Sequence, residues 1–126
     1  MTSLLERIGS TGLGVLVTLK RDGRPQLSNI TYVYDGERIR ISLTDDRAKT
    51  KNLRRDPRAT LCVLSDGFMG EWRQIDGTAE VVPMPDALDG LKALYRQVAG
   101  EHPDWDDFAA AMARDRRALI LITIDD

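Results

Sequence analysis

Alternation of apolar and polar residues predicts that this chain is built mainly from β-strands. The clearest case is residues 38–43, where Ile39, Ile41 and Leu43 alternate with polar neighbours, as in a strand with one buried face. Five further β-rich runs have similar lengths: 13–19, 25–34, 59–64, 72–82 and 119–124. Turn residues at Lys20–Gly23 and Asp35–Gly36 have hairpin spacing. The pattern therefore predicts a mainly antiparallel sheet of six strands, closed into a small barrel.

Helical spacing of apolar residues predicts short helices around this sheet. One is expected within 47–56, with Thr44–Asp46 as its cap and Pro57 beyond its end. Two more are expected after the fifth strand, over about 88–98 with a stop at Gly100, and over about 103–113. A short helical lead at 4–8 precedes the first strand, and glycines at 9, 12 and 14 are expected to break it.

Length and composition fit a single soluble domain over residues 1–126. Hydrophobic residues make up 42% and charged residues 30%, and no apolar run approaches the roughly 18 residues that span a bilayer. Met1–Arg7 lacks a signal-peptide pattern, and Cys62 is the single cysteine, so cytoplasmic residence is expected. His102 is the single histidine, which excludes a zinc site built from Cys and His, and no metal is expected.

The sequence offers no pair of residues suited to act as nucleophile and base. The single histidine leaves little room for a Ser-His-Asp triad, and neither GxGxxG nor a P-loop is present. We therefore expect no catalytic side chain of the chain's own. This fits chemistry in which a bound cofactor supplies the reactive atom and the protein supplies position and electrostatics.

A cationic segment follows the third predicted strand. Residues 47–58 contain six of the chain's 18 Lys and Arg residues, although the net charge is −2: Arg47, Lys49, Lys51, Arg54, Arg55 and Arg58. The first of these cations lie at the opening of the predicted short helix, where free N–H groups and the helix dipole favour an anion. An arginine offers a planar fork to two oxygens and a lysine adds a point charge, so the segment predicts a phosphate site.

The alternative for this segment is a solvated helix face whose charges balance nearby carboxylates. We expect the cations of its second half, at 54, 55 and 58, to form such pairs with Asp45, Asp46 or Asp56. A nucleic-acid-binding barrel would need a broad basic face, which a net negative charge disfavours, so no nucleic acid is expected as a partner.

Four motifs in order resemble a known family. They are DGRPQLSN at 22–29, RAKTKNLRRDPR at 47–58, DGTAE at 76–80, and the stretch from 94 to 107. Together they resemble the split β-barrel flavin-binding proteins related to pyridoxamine 5'-phosphate oxidase, and more closely their actinobacterial deazaflavin-dependent branch, which uses coenzyme F420. The resemblance covers nearly the whole chain. It implies a six-stranded antiparallel split β-barrel with short flanking helices, mainly β with α.

The resemblance also implies where a cofactor is held. It assigns the tail phosphate to four neighbours at the start of the basic helix: Arg47, Ala48, Lys49 and Thr50. It assigns the ring and ribityl portion to polar residues of the second strand: Gln26, Ser28 and Asn29. Trp72 matches, more loosely, a region to which a partner subunit contributes side chains.

The implied function is that of a homodimeric oxidoreductase with two cofactor sites at the subunit interface. It would transfer a hydride from reduced coenzyme F420 to a small conjugated organic acceptor, with neither nucleic acid nor membrane as a partner. Two alternatives stay open: an FMN-dependent oxidase or reductase on the same fold, and a non-catalytic carrier of F420 or flavin. Lys51, Arg54 and Arg55 favour F420, since its tail is longer and more anionic than that of FMN.

Overall fold

A computed structural model describes residues 11–65 and 69–125. The six strands in chain order are β1 (Thr11–Leu19), β2 (Pro25–Tyr34), β3 (Arg38–Thr44), β4 (Arg58–Leu64), β5 (Trp72–Pro83) and β6 (Arg117–Ile124). The three helices are α1 (Ala48–Arg55), between β3 and β4, and α2 (Leu88–Ala99) and α3 (Trp105–Arg114), between β5 and β6. The predicted helical lead at 4–8 lies outside the described residues.

The strands form a closed antiparallel barrel in the order β1-β2-β3-β6-β5-β4, with β4 pairing back onto β1. Each hairpin predicted from turn residues is present, and Gly23 and Gly36 adopt φ values of 87° and 94° that suit glycine. The prediction of a six-stranded, mainly antiparallel barrel with short helices is confirmed.

One seam of the barrel is mostly open. β1 pairs with β2 over the whole stretch from Pro25 to Val33. β2 pairs with β3 at two positions, where Val33 and Tyr34 face Arg40 and Ile39. Because β2 diverges from β3 beyond these pairs, the facing backbone edges of the two strands lack ladder partners. This opening is the split of the barrel.

Two separate cores flank the sheet. Inward-facing residues of all six strands fill the barrel, and Tyr32, Ile39 and Ile120 are completely buried there. The outer face of β6 carries Leu119 and Leu121, which pack beneath α2 and α3. The alternation of β6 therefore places one set of side chains in the barrel interior and the other in a second, helix-covered layer.

Glycines inside two strands mark close approaches of the backbone. β1 begins at Thr11, two residues before the predicted run 13–19, so it contains both Gly12 and Gly14. A Cβ at Gly14 would come within 2.7 Å of the Cys62 carbonyl oxygen. Gly77 lies within β5, which stays in register with both neighbouring strands there. A Cβ at Gly77 would lie 2.5 Å from the Thr123 carbonyl oxygen, so close strand approach explains the residue.

The cap predicted for α1 is wrong. Its N-cap is Arg47, which makes no side-chain capping bond, whereas the Thr44 carbonyl accepts hydrogen bonds from the Arg47 N–H and the Thr50 hydroxyl. By contrast, α2 ends at Gly100 as predicted, and Asp104 caps α3 by accepting from two backbone N–H groups. The first turn of α1 is therefore left without an intrinsic acceptor.

Two tyrosines on the inner face of β2, Tyr32 and Tyr34, differ in the hydrogen bonding of their hydroxyl groups. The Tyr32 hydroxyl has no hydrogen-bond partner among the described residues, whereas the Tyr34 hydroxyl donates to the Gly36 carbonyl at 3.0 Å. An unsatisfied buried hydroxyl is destabilising, so Tyr32→Phe is expected to raise the free energy of unfolding by about 1 kcal/mol. The matched control, Tyr34→Phe, is expected to lower it by about 1 kcal/mol.

Urea denaturation followed by circular dichroism measures both effects. Equal destabilisation by the two substitutions would contradict the prediction and would show that the Tyr32 hydroxyl has a partner, such as an internal water.

Candidate functional site

The split between β2 and β3 opens into a cavity of about 370 Å³. Asn29 and Thr31 line it from β2, Ser42 from β3, and Lys49 from α1. Its apolar wall comes mainly from α2 and the adjoining strands: Ile30, Val33, Ile41, Leu43, Leu94, Tyr95, Val98 and Ala99. An apolar cavity with a few convergent polar groups has the composition of a small-molecule site.

Helix α2 is held over this opening by a direct link to β2. The Gln97 side chain donates to the Tyr34 carbonyl at 2.7 Å, at the end of β2 where pairing with β3 persists. Tyr95 in turn makes edge contacts with Trp105 and Phe108 of α3 and with His102. The two helices thus form a supported wall, and His102 belongs to that wall rather than to the cavity.

Lys49 brings positive charge to the mouth of the cavity. Burial lowers the pKa of its ammonium group, and the neighbouring guanidinium of Arg47 lowers it further. Neither side chain forms an ion pair with another described residue, and both lie at the first turn of α1, where backbone N–H groups lack partners within the helix. Two neighbouring cations at a helix start, neither engaged in an ion pair among the described residues, are suited to an anion.

The remaining cations of the basic segment divide by position. Arg54 pairs with Asp45, and Arg58 pairs with Asp56 at 2.8 Å, which holds the pKa of the Asp56 carboxyl at about 2. These two pairs confirm the expected partnership between the second half of the segment and nearby aspartates. Arg55 differs, because it donates instead to the Leu19 carbonyl and the Asn52 amide oxygen. The cations in the second half of the segment are therefore engaged with other groups of the protein.

A second hollow, of about 440 Å³, lies on the other side of α1. Ala48, Lys51, Asn52 and Arg55 line it from the helix. Lys20, Arg21 and one acidic residue, Asp22, line it from the β1–β2 hairpin. Three of these cations, Lys20, Arg21 and Lys51, form no ion pair with another residue in the described ranges. The start of α1 is therefore flanked by an apolar cavity and by a cationic hollow.

Asn52 fixes α1 against the first hairpin, a role that the sequence analysis missed. Its amide nitrogen donates to the Thr18 hydroxyl at 3.1 Å and to the Gln26 amide oxygen at 2.7 Å, while its amide oxygen accepts from Arg55. Both Asn52 and Thr18 are buried, so this polar network has to be satisfied internally. The sequence indicated this role only through the position of Asn52, a polar residue on the inner face of an amphipathic helix.

The structure brings together some of the residues predicted for the site and separates others. Asn29 and Lys49 line the same cavity, and Arg47 and Ala48 lie beside it at the start of α1. Gln26 and Ser28 lie on the half-buried inner side of β2, and the Gln26 amide oxygen is taken by Asn52.

Thr50 and Trp72 differ from the rest of the predicted set. Thr50 is completely buried, and its hydroxyl donates to the Thr44 carbonyl at 2.9 Å. Trp72 lies opposite Leu64 at the start of β5 with 62% of its surface exposed, and it does not line the cavity.

Two further features are absent from the described part of the chain. Over residues 11–65 and 69–125, no three His, Cys, Asp or Glu side chains group as metal ligands. Within the same ranges, no helix has the length and hydrophobicity needed to cross a bilayer.

Comparison with known proteins gives one family and a set of similar structures. The sequence pattern of the pyridoxamine 5'-phosphate oxidase family matches residues 3–126. An F420 reductase is 27% identical, with a TM-score of 0.71 over 99% of this chain and 93% of that one. A conserved hypothetical protein from Mycobacterium tuberculosis is 28% identical, with a TM-score of 0.74 over 99% and 80% of the two chains.

A third similar structure bears on the fold alone. The heme storage protein HutZ from Vibrio cholerae is 15% identical, with a TM-score of 0.71 over 98% of this chain and 87% of that one. The same barrel therefore serves proteins with different ligands, and the function has to be argued from the site.

Proposed function

The chain belongs to the pyridoxamine 5'-phosphate oxidase family, and we propose that it is a coenzyme F420-dependent reductase of a small conjugated organic acceptor. The observation that carries the proposal is Lys49 at the mouth of the cavity in the split, with Arg47 beside it at the start of α1 and neither side chain in an ion pair with another described residue. The similarity to an F420 reductase at 27% identity supports the choice of cofactor.

The residues present fit such a cofactor. Arg47, Lys49 and the N–H groups of the first turn of α1 bind the phosphate of the tail, and the small side chain of Ala48 leaves room for it. The cavity, at about 370 Å³, falls within the range of roughly 300–1,000 Å³ typical of small-molecule sites.

The split supplies the polar contacts that a flavin-like ring needs. The β3-facing edge of β2 offers backbone N–H and C=O groups that no neighbouring strand uses, and the Asn29 amide adds a donor and an acceptor. Ser28 and Gln26 belong to the same strand and position the ribityl portion. Reduced F420 supplies the hydride when it is bound, while the apolar side chains of α2 exclude water from the ring.

The cationic hollow favours F420 over FMN. FMN ends in a phosphate, whereas the F420 tail continues as a phosphodiester and a chain of carboxylates. Lys20, Arg21 and Lys51 lie directly beyond Ala48 and have no ion pair to another described residue. Of the three cations named from the sequence for this discrimination, only Lys51 remains available, since Arg54 and Arg55 are engaged within the protein.

A homodimer is part of the same proposal. The outer face of β1, β2, β4 and β5 carries exposed apolar side chains: Leu13 at 68%, Leu27 at 63% and Trp72 at 62%. β1 lies between β2 and β4, and β5 follows β4, so these side chains share one face. A second copy covering this face would bury the apolar side chains and place Trp72 against its partner.

The experiment that tests the proposal is a side-by-side fluorescence titration of the protein with F420 and with FMN. Tighter binding of F420 is expected, and turnover is then measured by oxidation of reduced F420 with conjugated acceptors. A preference for FMN would favour the FMN-dependent alternative, and tight F420 binding without turnover would favour a carrier.

Lys49→Ala tests the phosphate clamp. The substitution is expected to weaken F420 binding by about 1.5–3 kcal/mol, the range of a charge-assisted hydrogen bond, without changing the fold. Arg54→Ala is the matched control, since Arg54 lies on the same helix but pairs with Asp45 on the surface, where such a pair contributes about 0–1 kcal/mol. Unchanged F420 affinity in Lys49→Ala, measured by titration, would refute the clamp.

The Lys20→Ala/Lys51→Ala double variant tests the tail contact. It is expected to weaken F420 binding several-fold while leaving FMN affinity unchanged, because FMN does not extend into the hollow. Lys92→Ala on α2 is the control, since this lysine lies near the Trp105 ring and away from the hollow. An equal loss for both cofactors would mean that the two lysines act on the shared phosphate or on stability.

Leu27→Asp tests the dimer. A charge buried in an apolar interface is unfavourable, so the variant is expected to shift the protein towards monomer and to weaken cofactor binding. Met69→Asp is the control, because Met69 is 90% exposed and lies outside the four strands that form this face. Light scattering after size-exclusion chromatography measures the mass, and a monomeric wild-type protein would exclude the proposed interface.

A further inference from the structure

A further crevice, separate from the cationic hollow, lies between the outer face of the sheet and the helices α2 and α3. It has a volume of about 270 Å³ and is lined by Leu91, Leu94 and Tyr95 of α2, Phe108 and Met112 of α3, Ser42 of β3 and Arg117 of β6. It shares Ser42, Leu94 and Tyr95 with the cavity in the split but contains none of the residues proposed to bind the phosphate or the polar groups of the cofactor. The walls are apolar, and Leu91 and Phe108 are buried.

Arg117 brings a positive charge to this crevice. It is half-buried at the start of β6, on the strand face that also carries Leu119 towards the helices. Its guanidinium forms no hydrogen bond or ion pair with another described residue, and no Asp or Glu lines this crevice, whereas Asp45 lines the neighbouring crevice that Arg117 also borders. A partly desolvated guanidinium in an apolar setting is unfavourable without an anion, and its planar fork matches a carboxylate.

We propose that this crevice binds a small apolar monocarboxylate, with its carboxylate on Arg117 and its apolar body between Leu91, Phe108 and Met112. One guanidinium and one hydroxyl, that of Ser42, are suited to a single carboxylate rather than a dianion. The volume lies below the roughly 300–1,000 Å³ typical of drug-sized ligands, so the ligand is small. The proposed ligand is tested in the absence of the cofactor.

Three methionines allow the binding position to be measured. Met112 lines this crevice, Met84 lines the neighbouring crevice that Arg116 and Arg117 also border, and Met69 is 90% exposed. Protein labelled with ¹³C at the methionine methyl groups is titrated with benzoate and, separately, with the uncharged benzamide. We expect benzoate to shift the Met112 resonance saturably while the Met69 resonance stays unchanged, and benzamide to bind at least about ten-fold more weakly.

Two neighbouring arginines supply the matched variants. Arg117→Gln is expected to weaken benzoate binding by about ten-fold or more, as for loss of a charge-assisted hydrogen bond. Arg116→Gln is expected to leave it unchanged, since Arg116 borders only the Met84 crevice. Arg117→Lys retains the charge but loses the fork, so an intermediate affinity is expected, and this variant also guards against misfolding of Arg117→Gln.

Several outcomes would overturn the proposal. These are no saturable Met112 shift with benzoate, equal affinity for benzamide, or equal binding by folded Arg117→Gln. A shift confined to Met84 would place the anion in the neighbouring crevice and would also refute the assignment. None of these results bears on the F420 titration, so failure of this proposal is distinguishable from failure of the proposed function.

Discussion

The divergence of β2 from β3 is the constraint on which the rest of the structure depends. Backbone N–H and C=O groups that leave a ladder need other partners, and a small barrel closes its seams to provide them. Here five seams pair along the strands, while the β2–β3 seam pairs at two positions. The unpaired edges therefore face a cavity instead of a strand, and α2 covers that cavity through the Gln97 bond to Tyr34. The candidate ligand site is thus bordered by backbone N–H and C=O groups that make no ladder hydrogen bonds.

Helix α1 lies beside this opening, and the cations of its two halves differ in their partners. The cations of its second half are engaged: Arg54 with Asp45, and Arg55 with the Leu19 carbonyl and Asn52. Asn52 ties the helix to Thr18 and Gln26 of the first hairpin. This anchoring holds Arg47 and Lys49 next to each other at the mouth of the cavity despite their repulsion. An anion placed there would relieve the repulsion, which is why the site favours a phosphate.

The helical layer adds a second kind of binding surface to the same sheet. α2 and α3 pack on Leu119 and Leu121, and a Cβ on Gly90 of α2 would lie 2.3 Å from the Leu119 side chain, so α2 sits close to β6. A crevice bordered by Arg117 remains between these helices and the sheet. Tyr95 contributes to both the split and this crevice, so the two concavities are adjacent but chemically distinct.

Local pattern determined the elements of this protein. Alternation at Ile39, Ile41 and Leu43 specifies a strand, because side chains alternate between the two faces of a sheet. The turn at Asp35–Gly36 brings β3 back beside β2, since glycine tolerates the positive φ that the turn requires. The motifs beginning at Asp22 and Arg47 were enough to identify the family and to name Lys49 and Asn29, which line one cavity.

Tertiary structure decided everything that depends on distance between residues remote in sequence. Thr18, Gln26 and Asn52 meet in one buried network, although 34 positions separate the first from the last. The availability of Lys51 and the engagement of Arg55 could not be distinguished along the chain, since both are cations of one short helix. The close approach of the Thr123 carbonyl to Gly77 is also invisible in the local pattern, because the two residues lie on different strands. Sequence by itself determined where strands and helices form and which residues carry charge, because these depend on neighbours in the chain. The tertiary structure decided which charged side chains lack an ion pair among the described residues and can bind a ligand, because this depends on where the barrel opens.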